Sequence, residues 1–244
     1  MLRIFISVTA LAVMLFFAGS AVAAEDTLKI VYNSATMEVY YSTEQYYTGT
    51  DLLGVSVADE TGLDTTDDSD PTHGKLYTDG HWNTGPRAGN DPVELPRSTD
   101  DFPVYWGIDF GQEYELTDLW VWNCNMYNTH SLRGLKYVYI DYGVDDGEGG
   151  IDWTALGGGD GEYLFAQATE SDSYTHNTTI DFGNVDARYV MISVRPYDHA
   201  TKPGTYGESI YGLSELRFHT VPEPGTMVLA GFGVLLLLVT RRKR

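Results

Sequence analysis

The chain has 244 residues, enough for one domain of ordinary size or two small ones, and its formal net charge is −20. Aromatic residues make up 13% of it, a proportion that excludes a largely disordered chain. Five of the 15 basic residues lie in the two hydrophobic end segments, with only one of the 35 acidic residues, so the part between the ends is strongly acidic. This charge disfavours nucleic acid as a partner and suits a divalent cation, although it also serves simply to keep an exported protein soluble.

The single cysteine, Cys124, excludes a disulfide within the chain. It lies at the end of the apolar run 119–124, and no basic residue that would activate a thiol is adjacent. We therefore predict a buried, unreactive thiol. The domain must then be stabilised by its core, with or without a metal.

Residues 1–24 have the pattern of a secretory signal peptide. Arg3 is followed by an apolar stretch over 4–18 and by the Ala-x-Ala cleavage pattern at 21–23. We predict cleavage after Ala23 or Ala24 and export of the mature chain. The alternative is a retained membrane anchor.

The C-terminal segment 221–244 has three parts in a fixed order. The motif at 221–224, with Pro222, Glu223 and Pro224, precedes an uncharged apolar stretch at 225–240 and a basic tail at 241–244. The apolar stretch predicts a short transmembrane helix, and the basic tail favours the cytoplasmic side. An ordinary tail anchor is the alternative.

This arrangement resembles the PEP-CTERM sorting signal of Gram-negative bacteria. The resemblance implies transient anchoring in the inner membrane and processing by an exosortase. It also implies a location in the cell envelope, on the outer surface or in the extracellular matrix, where such proteins are often associated with exopolysaccharide or biofilm.

Between residues 25 and 220 the chain consists of short β-rich runs separated by Gly, Asp and Asn. Many short strands with turn residues between them predict an antiparallel β-sandwich or jelly roll over 25–220. The sequence Ile-Asp-Phe-Gly occurs twice, and we interpret each copy as a strand that ends in a glycine turn of a hairpin. The clearest predicted strands are 28–32, 37–41, 104–110, 116–123, 135–142, 175–182, 188–194 and 215–219.

Several of these segments resemble, in order, the discoidin or coagulation factor 5/8 type C domain of the galactose-binding-like superfamily. The resemblance covers roughly residues 50–219 and implies an all-β, antiparallel jelly-roll sandwich with a binding function. The stretch 141–153 is longer and more acidic than in the family, and the disulfide of animal members is absent. The matching segments are 76–80, 105–111, 116–123, 133–140, 152–156, 187–192 and 212–218.

The same resemblance implies a structural calcium ion. In such domains an early Asp-Gly loop meets an acidic residue on the last strand, which corresponds here to Asp79 and Glu215. Gly80 allows a sharp turn at which backbone carbonyls could join the two carboxylates around Ca²⁺. The alternative is a turn aspartate and an exposed glutamate.

Three loops combine aromatic rings with side chains that form hydrogen bonds, as a carbohydrate site requires. In the family the ligand surface lies on loops at one end of the sandwich. Each of these residues also has an ordinary role in packing or capping, and Arg133 could support a loop without touching ligand. The candidate ligand-binding residues are Trp82, Arg87, Tyr127, His130, Arg133, Tyr197 and His199.

The sequence contains neither a Gly-x-Ser-x-Gly elbow nor a His-Glu-x-x-His helix, and we expect no enzymatic activity. The leading hypothesis is an exported, non-catalytic binding protein for carbohydrate or exopolysaccharide. One alternative is a structural or adhesive matrix protein without a sugar site. A second is a glycan hydrolase, because the count of carboxylates leaves a catalytic pair open.

Overall fold

The structure is a computed structural model that describes residues 28–30, 32–42, 57–60, 63–66, 69–75, 82–84 and 94–221. The predicted signal peptide and the segment 222–244 lie outside these residues. Among the residues described, no helix is both long and apolar enough to cross a membrane. The strands are β1 (Leu28–Ile30), β2 (Glu38–Tyr41), β3 (Leu63–Asp64), β4 (Thr72–His73), β5 (Trp82–Thr84), β6 (Val104–Asn123), β7 (Tyr137–Asp145), β8 (Ile151–Ala155), β9 (Glu162–Leu164), β10 (Tyr174–Thr175), β11 (Thr178–Val194) and β12 (Tyr211–Thr220), and a 3₁₀ helix spans His130–Arg133.

The strands of the described residues form two antiparallel sheets. The larger has the strand order β1-β12-β6-β11-β7-β8, and β2, β5 and β9 pair with β6, β12 and β7, respectively. The smaller has the order β10-β4-β3. The predicted all-β, antiparallel class is therefore confirmed.

The prediction that each copy of Ile-Asp-Phe-Gly ends a strand at a hairpin turn is wrong. Both copies lie inside long strands, β6 and β11, which pair with each other across two shifts of register. Gly111 and Gly183 have φ angles of 77° and 68°, and the carboxylates of Asp109 and Asp181 accept hydrogen bonds from their N–H groups at 2.7 and 2.8 Å. The same local structure occurs twice, but it produces a bulge in each of two paired strands and does not reverse the chain.

The main core is formed by one face of the long strands. Alternation along a strand sends every second side chain to this face. On β7 the opposite face is also covered, since Tyr139 is 2% exposed and its ring lies 4.9 Å from that of Phe102. Buried core residues include Trp106, Ile108, Phe110, Val138, Ile140, Val190, Ile192, Leu216 and Phe218.

A smaller apolar cluster connects β6 to the three-stranded sheet. Trp122 packs with Tyr174 of β10 and Ala168, and Leu63 of β3 lies against them. The indole N–H of Trp122 donates to the Pro71 carbonyl at 3.3 Å. This cluster anchors the chain segments that cover the outer face of β6.

Cys124 is buried, as predicted, and burial raises the pKa of its thiol to about 12. At about pH 8 only around one thiol in 10⁴ is then ionised, and the thiolate is the reactive form. We expect the folded chain to remain unmodified by iodoacetamide, while the urea-unfolded chain incorporates one equivalent. Mass spectrometry of both samples measures this, and rapid modification of the folded chain would contradict the prediction.

Candidate functional site

Two chain segments meet at one end of the larger sheet and are held together by backbone hydrogen bonds. The first contains the 3₁₀ helix, and the second is the loop 195–210 between β11 and β12. The carbonyl of Leu132 accepts hydrogen bonds from the N–H groups of Tyr206 and Glu208, at 3.1 and 3.4 Å. A bridge between Leu135 and Thr205 adds a second point of attachment. The backbones of the two segments are therefore held in fixed positions relative to each other.

Glu208 joins two of the predicted ligand-binding residues. Its carboxylate accepts a hydrogen bond from Arg133 Nε at 2.9 Å, and its other oxygen lies 3.4 Å from His130 Nδ1. The Arg133 side chain is 6% exposed, whereas those of His130 and Glu208 are 22% and 27% exposed. Arg133 is thus buried behind Glu208, whereas the side chains of Glu208 and His130 reach solvent. We refer to these three residues as a group.

The charge state of Glu208 follows from these contacts. Partial burial alone would raise its pKa, but the hydrogen bond and charge of Arg133, with smaller contributions from His130, hold the pKa below its ordinary value. Glu208 is therefore ionised at neutral pH and accepts hydrogen bonds.

A tight turn before the 3₁₀ helix places His130. Asn128 and Thr129 have φ angles of 58° and 68°, a conformation that asparagine tolerates well and β-branched threonine adopts only under constraint. His130 N–H donates to the carbonyl of Tyr127 at 3.4 Å and closes the turn. Tyr127 is half-buried, and its backbone N–H donates to the carbonyl of Lys75 at 3.3 Å.

Two buried asparagines at the end of β6 support these loops. The Asn123 amide donates to the carbonyls of Leu135 and Ala166 at 2.7 and 2.8 Å. The Asn125 amide donates to the carbonyl of Ser171 at 2.7 Å. Sequence reasoning missed both asparagines, because Asn-x-Asn after a strand has the appearance of an ordinary turn.

The remaining predicted ligand-binding residues are not part of this group. Tyr197 is 41% exposed, and His199 Nδ1 accepts a hydrogen bond from the Lys202 backbone at 3.1 Å. Within the described residues neither forms a hydrogen bond or ion pair with His130, Arg133 or Glu208. Trp82 lies on β5 opposite Leu213, and Arg87 falls outside the described residues. Glu208 was not predicted, since a lone glutamate in a loop carries no sequence signal.

Glu215, the predicted calcium ligand on the last strand, is 1% exposed. Its Oε1 accepts a hydrogen bond from Glu60 N–H at 3.2 Å, while its Oε2 is buried without a hydrogen-bond partner in the described part of the chain. Burial first, and then the charges of Asp59 and Glu60, raise the pKa of Glu215 well above its ordinary value. The alternative of an exposed glutamate is therefore wrong.

A buried carboxylate oxygen without a partner is costly, and a bound cation would offset that cost. Glu215 in this respect fits a calcium ligand. Asp79 lies outside the described residues, and among those that are described no three acidic, His or Cys side chains converge on one point. The calcium site stays a prediction.

Comparisons with known proteins return one family model and a set of solved structures. Residues 220–244 match the model of the PEP-CTERM protein-sorting motif. The chain carries a PEP-CTERM sorting signal. No curated protein matches the sequence.

Similar solved structures include a carbohydrate-binding module, an F5/8 type C domain and a putative chitobiase fragment. The family 32 carbohydrate-binding module of Clostridium perfringens NanJ, in complex with galactose, is 12% identical, covers 79% of this chain and 99% of its own, and has a TM-score of 0.45. An F5/8 type C domain from Bacteroides fragilis is 10% identical over 81% of this chain and 99% of its own, also at 0.45. A putative chitobiase fragment from Bacteroides thetaiotaomicron is 15% identical over 84% of this chain and 98% of its own, at 0.46. These three TM-scores are below 0.5, so an argument about the function of this chain must come from its own residues.

Proposed function

We propose that this PEP-CTERM chain is an exported, non-catalytic carbohydrate-binding protein. The sorting signal supports export, transient anchoring in the inner membrane, processing by an exosortase, and display in the cell envelope or extracellular matrix. The observation that carries the binding function is the group His130, Arg133 and Glu208.

This group has the properties that a sugar hydroxyl requires. Glu208 is a fixed, ionised acceptor, and His130 adds a second partly exposed polar group beside it. Arg133, whose side chain is only 6% exposed, holds the Glu208 carboxylate in position through the hydrogen bond from its Nε. Tyr127, half-buried in the same turn, would supply an aromatic ring for sugar C–H groups.

The same contacts disfavour acid catalysis by Glu208. A general acid needs a pKa raised toward neutrality, and Arg133 has the opposite effect. The group is therefore suited to binding, and it does not support the hypothesis of a glycan hydrolase.

A glycan and polysaccharide array tests the proposal with the full-length chain, Glu208→Gln and the exposed control Glu113→Gln. We expect Glu208→Gln to weaken binding to the preferred sugar roughly 10- to 100-fold, because hydrogen bonds to charged groups contribute about 1.5–3 kcal/mol. The control should bind as the unmodified chain does. Melting curves verify that each variant is folded.

Equal binding by Glu208→Gln and the unmodified chain would show that the site is elsewhere. Binding to no glycan at all would favour the structural or adhesive matrix protein.

We also propose a structural Ca²⁺ at Glu215, with Asp79 as a second ligand. The buried, unpartnered oxygen of Glu215 supports this assignment. Such an ion would stabilise the segment around Glu60 against β12 and take no part in binding sugar.

A further inference from the structure

The positive charges of the chain are distributed unevenly. Nine lysines and arginines occur in the described residues, and seven of them form an ion pair with a carboxylate. Within the same residues Lys136 and Arg195 have no carboxylate within ion-pair distance. Both lie beside β7, although the chain as a whole has a net charge of −20. Two cations without counterions in so acidic a protein require an explanation.

Tyrosine rings lie beside Lys136 and beside the neighbouring Lys202. Lys136 Nζ lies 5.7 Å from the ring centroid of Tyr137 and 5.2 Å from that of Tyr206. Lys202 Nζ lies 5.1 Å from the centroid of Tyr137. Such contacts orient an ammonium group but leave its charge in place.

Arg195 lies on the neighbouring strand end. It follows Val194, which pairs with Val138 of β7, and its guanidinium lies 5.2 Å from the ring centroid of Tyr139. We name the surface formed by Lys136, Tyr137, Arg195, Lys202 and Tyr206 the β7 patch.

The β7 patch is locally cationic. It contains three positive charges, and Glu162, which pairs with Lys202 and accepts a hydrogen bond from Tyr139, is the one carboxylate in contact with them within the described residues. At physiological ionic strength the Debye length is about 8 Å, so the acidic remainder of the surface is largely screened from a ligand here. The complementary ligand group is an anion.

We propose that the β7 patch binds the carboxylates of an acidic polysaccharide, which defines the ligand class for the proposed carbohydrate-binding function and depends on it. Next to the cations, Leu164 is 54% exposed and lies directly opposite Tyr137 in the sheet. This apolar surface suits the C–H face of a sugar ring.

The patch also adjoins the group of His130, Arg133 and Glu208. The N–H of Tyr206 donates to Leu132, which lies between His130 and Arg133. A polymer with several sugar units could therefore contact both surfaces, which a small free anion could not. This continuity favours a polysaccharide.

A surface cavity next to Lys202 indicates how neighbouring sugar units would be arranged. It has a volume of about 590 Å³ and is lined by Lys202 and residues 156–163. Its lining includes the carboxylates of Asp160 and Glu162, which would repel an anion. We therefore place the ligand carboxylate at Lys136 and an uncharged unit of the same polymer in the cavity.

The proposal can be tested with two forms of one polymer. Partly methyl-esterified polygalacturonate carries free carboxylates, and the fully esterified form has the same backbone without charge. Titration calorimetry compares the full-length chain with Lys136→Gln, Lys136→Arg and the control Lys75→Gln, whose lysine pairs with Asp172. We expect Lys136→Gln to bind the charged form about fivefold more weakly, the upper range for a partly exposed ion pair, and the uncharged form unchanged. Lys136→Arg keeps the positive charge and should keep the preference for the charged form, and Lys75→Gln should bind both forms as the unmodified chain does.

Added salt should weaken binding of the charged form alone. Failure of the unmodified chain to prefer the charged form, or equal losses for both forms in Lys136→Gln, would overturn the role of the β7 patch while glycan binding through Glu208 stands. If the chain binds no glycan on the array either, both proposals fail.

Discussion

In about 10 mM Ca²⁺ the full-length chain should melt roughly 5–10 °C higher than in excess chelator, and Glu215→Gln should abolish this difference. Extracellular calcium sites have Kd values near 10⁻⁴ M, and a ligand at about 100 times its Kd stabilises the folded state by about 2.7 kcal/mol. For a domain of this size, each 1 kcal/mol raises the melting temperature by about 2–4 °C. Differential scanning calorimetry measures the shift.

The pH dependence separates calcium binding from other effects. The pKa of Glu215 is higher in the folded chain than in the unfolded one, so its contribution to stability is complete below the ordinary pKa of 4.5 and is lost as the pH rises through the folded value. In chelator, the unmodified chain should therefore lose stability relative to Glu215→Gln as the pH increases. Near neutral pH in chelator, the variant should be the more stable of the two.

The control is Glu113→Gln, which removes an exposed carboxylate of β6 and should retain the full calcium response. An unmodified chain that melts at the same temperature with and without calcium would show that Glu215 binds no such ion. A calcium response that persists in Glu215→Gln would place the ion elsewhere.

Gly111→Ala should be far more destabilising than Gly183→Ala, although both glycines occupy the same position in Ile-Asp-Phe-Gly. A Cβ atom at position 111 would lie 1.9 Å from the carbonyl oxygen of Thr36, whereas one at position 183 has no neighbour within 4 Å. Both changes pay the left-handed backbone penalty of about 1–2 kcal/mol, but only the first also displaces backbone. We expect a total cost of about 3–5 kcal/mol for Gly111→Ala.

Urea unfolding of the two variants measures this difference directly. Total stabilities of domains are about 5–15 kcal/mol, so Gly183→Ala should keep most of its stability, whereas Gly111→Ala should lose a third or more of a stability of about 10 kcal/mol. Equal midpoints for the two variants would show that the backbone of Thr36, in the turn before β2, does not approach Gly111 as the structure describes.

Much of the fold could be predicted from local pattern. The β-rich runs 135–142 and 188–194 coincide closely with β7 and with the second half of β11, because alternation and turn residues are local properties. Burial of Cys124 followed from the apolar run around it. The continuation of β6 through Gly111 and of β11 through Gly183 could not be predicted, since a glycine with a positive φ angle occurs equally in a turn and in a bulge.

The candidate site was only half predictable. Aromatic, Arg and His residues in loops pointed to His130 and Arg133, yet Glu208, which joins them, is 75 residues from Arg133 in the chain. Tyr197 and His199 had the same composition and were not brought into the group. Which loop residues meet depends on strand pairing, and that is not a local property.

The sorting signal, the β class and the identity of the loops rich in polar and aromatic residues were all predictable from the amino-acid sequence. These are properties of short windows, in which hydrophobic period, turn chemistry and motif order can be read directly. The pairing of charges became visible only in the folded chain: Glu208 pairs with Arg133 and Glu60 with Arg217, while Lys136 has no carboxylate partner among the described residues. Strand register sets these partners, and register is selected by packing of the whole core rather than by the residues that become neighbours.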